Sequence, residues 1–279
     1  MPVSGYQFVS GQLQRPDSSS AFLRPMINEI KVTKSSLQEI LSLRALFLQE
    51  NNFQIRYNAC HERNWSDSWL ITLDGSAIGY GSVKGKDDLK DRNAIFEFYV
   101  IPTFRKHALD IFSMLLVSSR PRFIECQSND LLLSSMLYEF SSGIQADVVL
   151  LKEHVATELK NPELSFRPRK NEDTIFQHAI EPVGEYVLEH RGEIVATGGF
   201  MLHYNVPFAD LYMEVREDSR RKGFASFLLQ EVKKECYLHG RVPAARCPVE
   251  NLGSRKSLIR AGMAIAGYML TGAVTRMSW

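Results

Sequence analysis

The chain has 279 residues, 44% hydrophobic and 23% charged, the balance of a globular protein long enough for two full cores. Its formal net charge of +1 argues against nucleic acid as a main partner, because sequence-independent binding to phosphate backbones needs a broad basic surface. Cys60, Cys126, Cys236 and Cys247 stand far apart, with no C-x-x-C pair and no histidine at metal-ligand spacing. They read as buried thiols in a reducing compartment, and no metal site is expected.

Residues 1–27 are polar with Gly, Ser and Pro, and read as a surface extension. The start lacks the basic-then-apolar order of a signal peptide, and no stretch approaches the roughly 18 apolar residues of a membrane span. A cytoplasmic protein with no membrane partner is expected.

Ser36-Leu-Gln-Glu39 is a capping box for a helix with Leu37, Ile40, Leu41 and Leu48 on its apolar side. Trp69 to Gly81 reads as a hairpin turning at Gly75. A strand over Phe96–Val100 runs into Phe104-Arg-Lys-His-Ala-Leu-Asp110, and a strand over Asp147–Val155 closes the first half. Gly79-Tyr-Gly81 with Gly85-Lys86 has the wrong spacing for a dinucleotide fingerprint or a P-loop. Lys160–Asn171 carries a linker and the first strand of the second half.

The second half repeats the first. Tyr186–Gly198 overlays Trp69–Gly81 at an offset of 117, the strand and loop at Phe96–Asp110 recur at 115, and Asn129–Ser135 recurs as Asn251–Ser257 at 122. Offsets that drift only at loops indicate an internal duplication.

In the second copy, a strand over Asp210–Val215 leads into Arg220-Arg-Lys-Gly223-Phe-Ala225 and then a helix with an apolar stripe of Ala225, Leu228, Leu229, Val232 and Cys236, ending near Gly240. Gly223 lets the main chain approach an anion or take a positive φ, Ala225 stays small, and backbone N–H groups, a helix N-terminus and three cations surround the site. A short strand over Ala244–Cys247 follows, then a polar helix start at Asn251, with Ser254 and Ser257, and a stop at Gly262-Met263.

Strand, R-x-x-G-x-A, helix, strand, then N-x-x-S and G-M together resemble the GCN5-related N-acetyltransferase (GNAT) superfamily, over about residues 165–275. The resemblance implies an α/β (α+β) protein of two tandem folds, each a mixed, mostly antiparallel sheet flanked by helices, with domains at 28–160 and 161–279. It further implies an acetyl-CoA co-substrate held by Met213, Val215, Arg220, Arg221, Lys222, Gly223, Phe224, Ala225, Ser226, Asn251, Ser254 and Ser257.

The first copy departs from that pattern. Ala108 stands where Gly223 stands, and Asp110 where Ala225 stands. A left-handed Ala would cost roughly 1–2 kcal/mol, and a carboxylate about 4 Å from a phosphate about 4 kcal/mol at an effective dielectric of 20. Against the ~8 kcal/mol of a micromolar ligand, these penalties remove most binding. The first domain is expected to be degenerate, kept for architecture or to shape the cleft.

The family's reaction is direct attack of an amine on the thioester in a ternary complex. A lysine-like amine is neutral in only about one molecule in 2,500 at pH 7, a deficit of roughly 4.6 kcal/mol. Strand alternation puts Asp210, Tyr212 and Glu214 on one face, so Asp210 and Glu214 are the candidate bases; alternatively, Asp210 ends a hairpin and Glu214 pairs with a loop arginine. Many family members protonate the leaving thiolate from a tyrosine seven residues after the motif's Asn, and here that position is Leu258. Tyr268, Ser257 or water is left as the acid. Cys247 has no evident His partner, which argues against an acyl-enzyme.

The acceptor stays open among small amines, amino acids, antibiotics, polyamines and protein N-termini, and the protein is expected to be a monomer or homodimer. The rival function is a non-catalytic acyl-CoA sensor, favoured by the missing tyrosine. A peptidyltransferase using aminoacyl-tRNA fits the intact loop and near-neutral charge less well, and a purely structural protein would bind no CoA.

Overall fold

A computed structural model describes residues 29–51, 53, 58–179 and 181–275. The extension expected over 1–27 lies outside them. The first half contains β1 (Ile30–Ser35), α1 (Leu37–Glu50), α2 (Asn58–Glu62), β2 (Ser66–Leu73), β3 (Ser76–Lys84), β4 (Ala94–Val100), α3 (Ala108–Ser119), β5 (Phe123–Gln127), α4 (Leu131–Phe140) and β6 (Ser141–Glu153). The second contains β7 (Leu164–Pro168), β8 (Tyr186–His190), β9 (Glu193–Met201), β10 (Phe208–Val215), α5 (Phe224–Leu238), β11 (Val242–Pro248), α6 (Leu252–Arg260) and β12 (Met263–Val274).

The duplication extends to fine detail. Both hairpins turn on two left-handed residues, Asp74-Gly75 (φ 49° and 80°) and Arg191-Gly192 (φ 54° and 82°), the signature of a type I′ turn. Each carries a register shift at the same place, between Ile71 and Thr72 and between Leu188 and Glu189. A bulge leaves one residue unpaired and sharpens the local twist.

The two halves share one 12-stranded sheet, ordered β1-β2-β3-β4-β5-β12-β6-β11-β10-β9-β8-β7. Only β4–β5 and β10–β11 pair in parallel. The expected closing strand is longer than read, starting at Ser141, and it closes the other half: β6 pairs with β11, while β12 from the second half pairs with β5. The two exchanged strands then pair with each other along most of their lengths. A boundary near 160 therefore divides the sequence without dividing the sheet.

Buried Lys233 on α5 pins this arrangement. Its ammonium donates to the carbonyls of Val155 at 3.0 Å and Ala261 at 2.7 Å, and lies 2.9 Å from the Glu153 carboxylate. Buried charge persists only with such partners.

On the opening helix of the first half, Glu39 accepts the Ser36 N–H at 2.7 Å, as a capping box requires. The buried stripe differs from the expected one: it is Ile40, Leu43, Arg44 and Phe47, and Leu41 is exposed. Arg44 belongs there because Glu97, fully buried on β4, accepts from its Nε at 3.1 Å and Nη2 at 3.0 Å. His61 Nε2 lies 3.0 Å from the same carboxylate and the Tyr80 hydroxyl donates to it at 3.0 Å.

Candidate functional site

Each parallel pair holds together for only a short stretch. β10 pairs with β11 from Phe208 to Asp210 and then diverges; β4 does the same with β5 after Ile95. The splay exposes backbone and side chains that a continuous sheet would cover. In the second half, two adjoining cavities fill the opening.

The larger, about 560 Å³, runs along the loop before α5 and the start of α6. Arg220 is extended, Arg221 is left-handed at φ 63°, and Gly223 is left-handed at φ 84°. Such alternation turns successive N–H groups toward one concavity, with the N-terminus of α5 behind them. Lining this cavity are Met213, Val215, Arg220, Arg221, Gly223, Phe224, Ala225, Ser226, Asn251, Ser254 and Ser257.

The cations are distributed differently from the sequence expectation. Arg220 turns its Nε back to the carbonyl of Val215 at 3.2 Å, and Lys222 is not in the lining. In its place, α6 contributes Lys256 and Arg260. A Cβ at Gly223 would lie 3.6 Å from an Arg260 guanidinium nitrogen, so this arginine closes the far wall of the loop. Sequence reasoning missed both residues, although their i, i+4 spacing on the helix carrying Ser257 is the signal for a shared face.

The smaller cavity, about 320 Å³, lies in the splay itself and shares Met213, Glu214, Asn251 and Ser254 with its neighbour. Leu211 and Val215 pack into the core under α5, so Asp210, Tyr212 and Glu214 face the other way. Ala245 and Cys247 of β11 also enter that core, leaving Arg246 on the cleft side. Asp210 is buried, with Oδ2 3.3 Å from His203 Nε2 and 3.8 Å from Arg246 Nε. Nearby Tyr204 is held well above the ordinary phenol range, first by burial and then by the Asp210 charge.

Glu214 borders both cavities. Both its oxygens accept the N–H of Ala179, at 3.0 and 3.1 Å, a residue that also lines the larger cavity. Tyr212 lies against Gly199, where a Cβ would come within 2.6 Å of the phenol oxygen. Burial raises the Tyr212 pKa.

Three expectations change. Tyr268 lies on β12 in the seam between the halves, exchanging bonds with Ser128, and lines neither cavity. Its strand lies between β5 and β6 in the middle of the sheet. Ser257 lines the larger cavity but donates to the Gly253 carbonyl at 3.0 Å, and Leu258 is buried in the core. In the first copy, Ala108 carries no strain: it is right-handed helical at φ −59°, because a 3₁₀ turn over Pro102–His107 runs straight into α3. The anion loop is lost as a shape, and Asp110 occupies the first turn of α3.

All four cysteines are free and buried, and burial pushes Cys60 up to about 11, Cys236 up to about 12 and Cys247 upward. Among the described residues, no group of three His, Cys, Asp or Glu side chains is placed to hold a metal ion, and no helix is long and apolar enough to cross a membrane.

Comparison with known families agrees with this geometry. The model described as "Acetyltransferase (GNAT) domain" matches residues 36–154, and the one described as "Acetyltransferase (GNAT) family" matches residues 153–262. Together they span most of the chain, which belongs to the GNAT acetyltransferase family as a tandem member. That family carries out acyl transfer.

Among solved structures, the chain is similar to a GNAT-family acetyltransferase from Colwellia psychrerythraea (TM-score 0.69, 14% identity, 88% of this chain and 100% of that one). It is also similar to a tandem GNAT protein from the clavulanic acid biosynthesis pathway (TM-score 0.56, 10% identity, 90% and 100%). A third is a GCN5-related N-acetyltransferase from Sphaerobacter thermophilus (TM-score 0.53, 15% identity, 90% and 98%). At these identities the likeness concerns the fold. No curated protein matches the sequence.

Proposed function

We propose that the second half transfers an acetyl group from acetyl-CoA to an amine, with Glu214 as the base, and that the first half has no such activity. The observation that carries this reading is the position of Glu214 at the junction of the two cavities, one suited to an anionic cofactor and the other to an acceptor.

The pyrophosphate binds the N–H groups of the Arg221–Gly223 loop and the N-terminus of α5, with Arg221 and Arg260 supplying charge. Met213 and Ala225 border the same space and keep it narrow enough for the pantetheine arm. The acyl carbon then reaches the splay between β10 and β11. An ammonium in the smaller cavity loses a proton to Glu214, the neutral amine attacks the carbonyl carbon, and the adduct collapses as its second N–H proton leaves for solvent and the C–S bond breaks to release the CoA thiolate. Solvent supplies the thiolate's proton, since Leu258 cannot and Ser257 is engaged with its own helix.

The first copy cannot follow this course. Its loop is a continuous helix start, and the equivalent of its acceptor cleft is filled by Arg44, His61 and Tyr80 around Glu97.

The test separates binding from turnover. Glu214→Gln is expected to lower kcat by about 10²- to 10⁴-fold, the usual contribution of a general base, while calorimetry finds acetyl-CoA affinity unchanged. Unaltered kcat would remove Glu214 from the mechanism. Binding of acetyl-CoA without release of free CoA on any amine would favour the sensor instead.

A further inference from the structure

The smaller cavity carries charge of both signs on facing strands. On β10, the Asp210 side chain is only 6% exposed and Glu214 closes the end toward the cofactor. Opposite, on β11, the Arg246 side chain is 45% exposed and lines the same space. Beyond Asp210 the two strands no longer pair, so the gap between these groups is open to a ligand.

That distribution is unsuited to a simple cation. Asp210 and Glu214 place negative charge on one wall and Arg246 positive charge on the other, so a ligand carrying only positive charge matches one wall and opposes the other. A second positive group on the acceptor would instead meet the Arg246 guanidinium. A carboxylate there would match the planar fork of the guanidinium with two parallel bonds, a geometry specific to arginine.

We infer that the acceptor is a small molecule bearing a carboxylate close to its amine, an α-amino acid or near analogue. Its carboxylate is held by Arg246 on β11 and its ammonium lies between Asp210 and Glu214. This rests on the transferase reading above and narrows its substrate class. The separation of groups suits the ligand: Arg246 Nε lies 3.8 Å from Asp210 Oδ2, and both side chains line the same cavity. The amine nitrogen so placed faces Glu214, to which its proton passes before attack on the acyl carbon.

The experiment is calorimetric titration of CoA-saturated protein with a panel of L-amino acids, their methyl esters and the amines left when the carboxyl group is removed. At least one amino acid is expected to bind about 10- to 100-fold more tightly than its decarboxylated and esterified counterparts, the range of a lost charge-assisted bond. Arg246→Met is expected to erase that preference while leaving acetyl-CoA affinity unchanged. Arg246→Lys should restore little, since it lacks the fork. Equal or tighter binding of the decarboxylated amines would overturn the inference, as would CoA binding with no amino acid bound. Failure of acetyl-CoA itself to bind would sink the transferase reading instead; the same titration of CoA-free protein then decides the Arg246 site on its own.

Discussion

Arg105 and Arg220, 115 positions apart, make the same bond: each Nε donates to the carbonyl of the last residue of its strand, Val100 at 2.9 Å and Val215 at 3.2 Å. The first arginine of the loop is therefore a strut that both copies keep, whether or not the loop beyond it can hold an anion. Arg105→Met and Arg220→Met are each expected to cost about 1 kcal/mol, or about 2–4 °C in Tm for a chain of this size. Only Arg220→Met should also weaken acetyl-CoA binding, because only there does the strut carry the proposed cofactor loop. Thermal scans with and without acetyl-CoA separate the two effects.

Gly223→Ala is expected to weaken acetyl-CoA binding about 5- to 30-fold, corresponding to the roughly 1–2 kcal/mol of a left-handed residue with a Cβ. The added methyl itself meets nothing closer than 3.6 Å, so backbone conformation alone carries the loss. Gly223→Glu should abolish binding, because its carboxylate would compete for Arg260. Calorimetry measures both, and an unaffected affinity for Gly223→Glu would remove the loop from the cofactor site.

Gly199→Ala tests the other cavity. Its Cβ would come within 2.6 Å of the Tyr212 phenol oxygen and must displace that ring toward the acceptor. The expected result is a rise in KM for the amine of about 10-fold or more, the effect of roughly 1–3 kcal/mol from a single misplaced group in a pocket, with acetyl-CoA affinity unchanged. Steady-state kinetics with each substrate varied in turn provide the check.

The buried cluster in the first half predicts both a mutational and a pH effect. Arg44→Met leaves Glu97 buried without its guanidinium partner and is expected to cost about 3–5 kcal/mol, whereas Arg44→Met with Glu97→Met recovers most of it. Although burial opposes ionisation, Arg44 and then His61 hold the Glu97 carboxyl well below its ordinary range. Its stabilisation is complete above the unfolded-state value of about 4.3 and declines as pH falls further, because the unfolded chain then takes a proton the folded one refuses. Urea unfolding at pH 7 and about pH 3.5 should show a smaller decline for the double variant than for the parent.

The exchanged strands predict that residues 28–160 and 161–279 do not fold as separate monomers. Each would lack the strand that covers its sheet at the seam, β12 for one and β6 for the other. Circular dichroism of the separate and mixed halves is the check: cooperative unfolding of either half alone would contradict the exchange.

Much of this was legible from local chemistry. The turns at Gly75 and Gly192, the loop at Gly223 and the capping residue Asn251, whose side chain accepts the Ser254 N–H at 3.0 Å, depend on nearest neighbours in sequence. What escaped depends on contacts between distant segments. The continuous apolar run Val148–Leu151 of β6 says that it is a strand but not which half it completes. Arg44 obscured the apolar stripe of α1 because its partner Glu97 is 53 residues away. Arg246 gave no signal as a lone charge on a short strand, and acquires meaning only from the splay that sets it opposite Asp210. Tyr268 attracted attention as a nearby tyrosine, yet register with Val149 carries it into the seam.

The crossing of β6 and β12 also constrains how this gene can change. On the proposed reading, a copy without a cofactor loop would ordinarily be free to disappear, but here its loss would strip the other copy of a structural strand and leave raw sheet edge behind. The segment is thus indispensable for its skeleton, whatever chemistry its own loop supports.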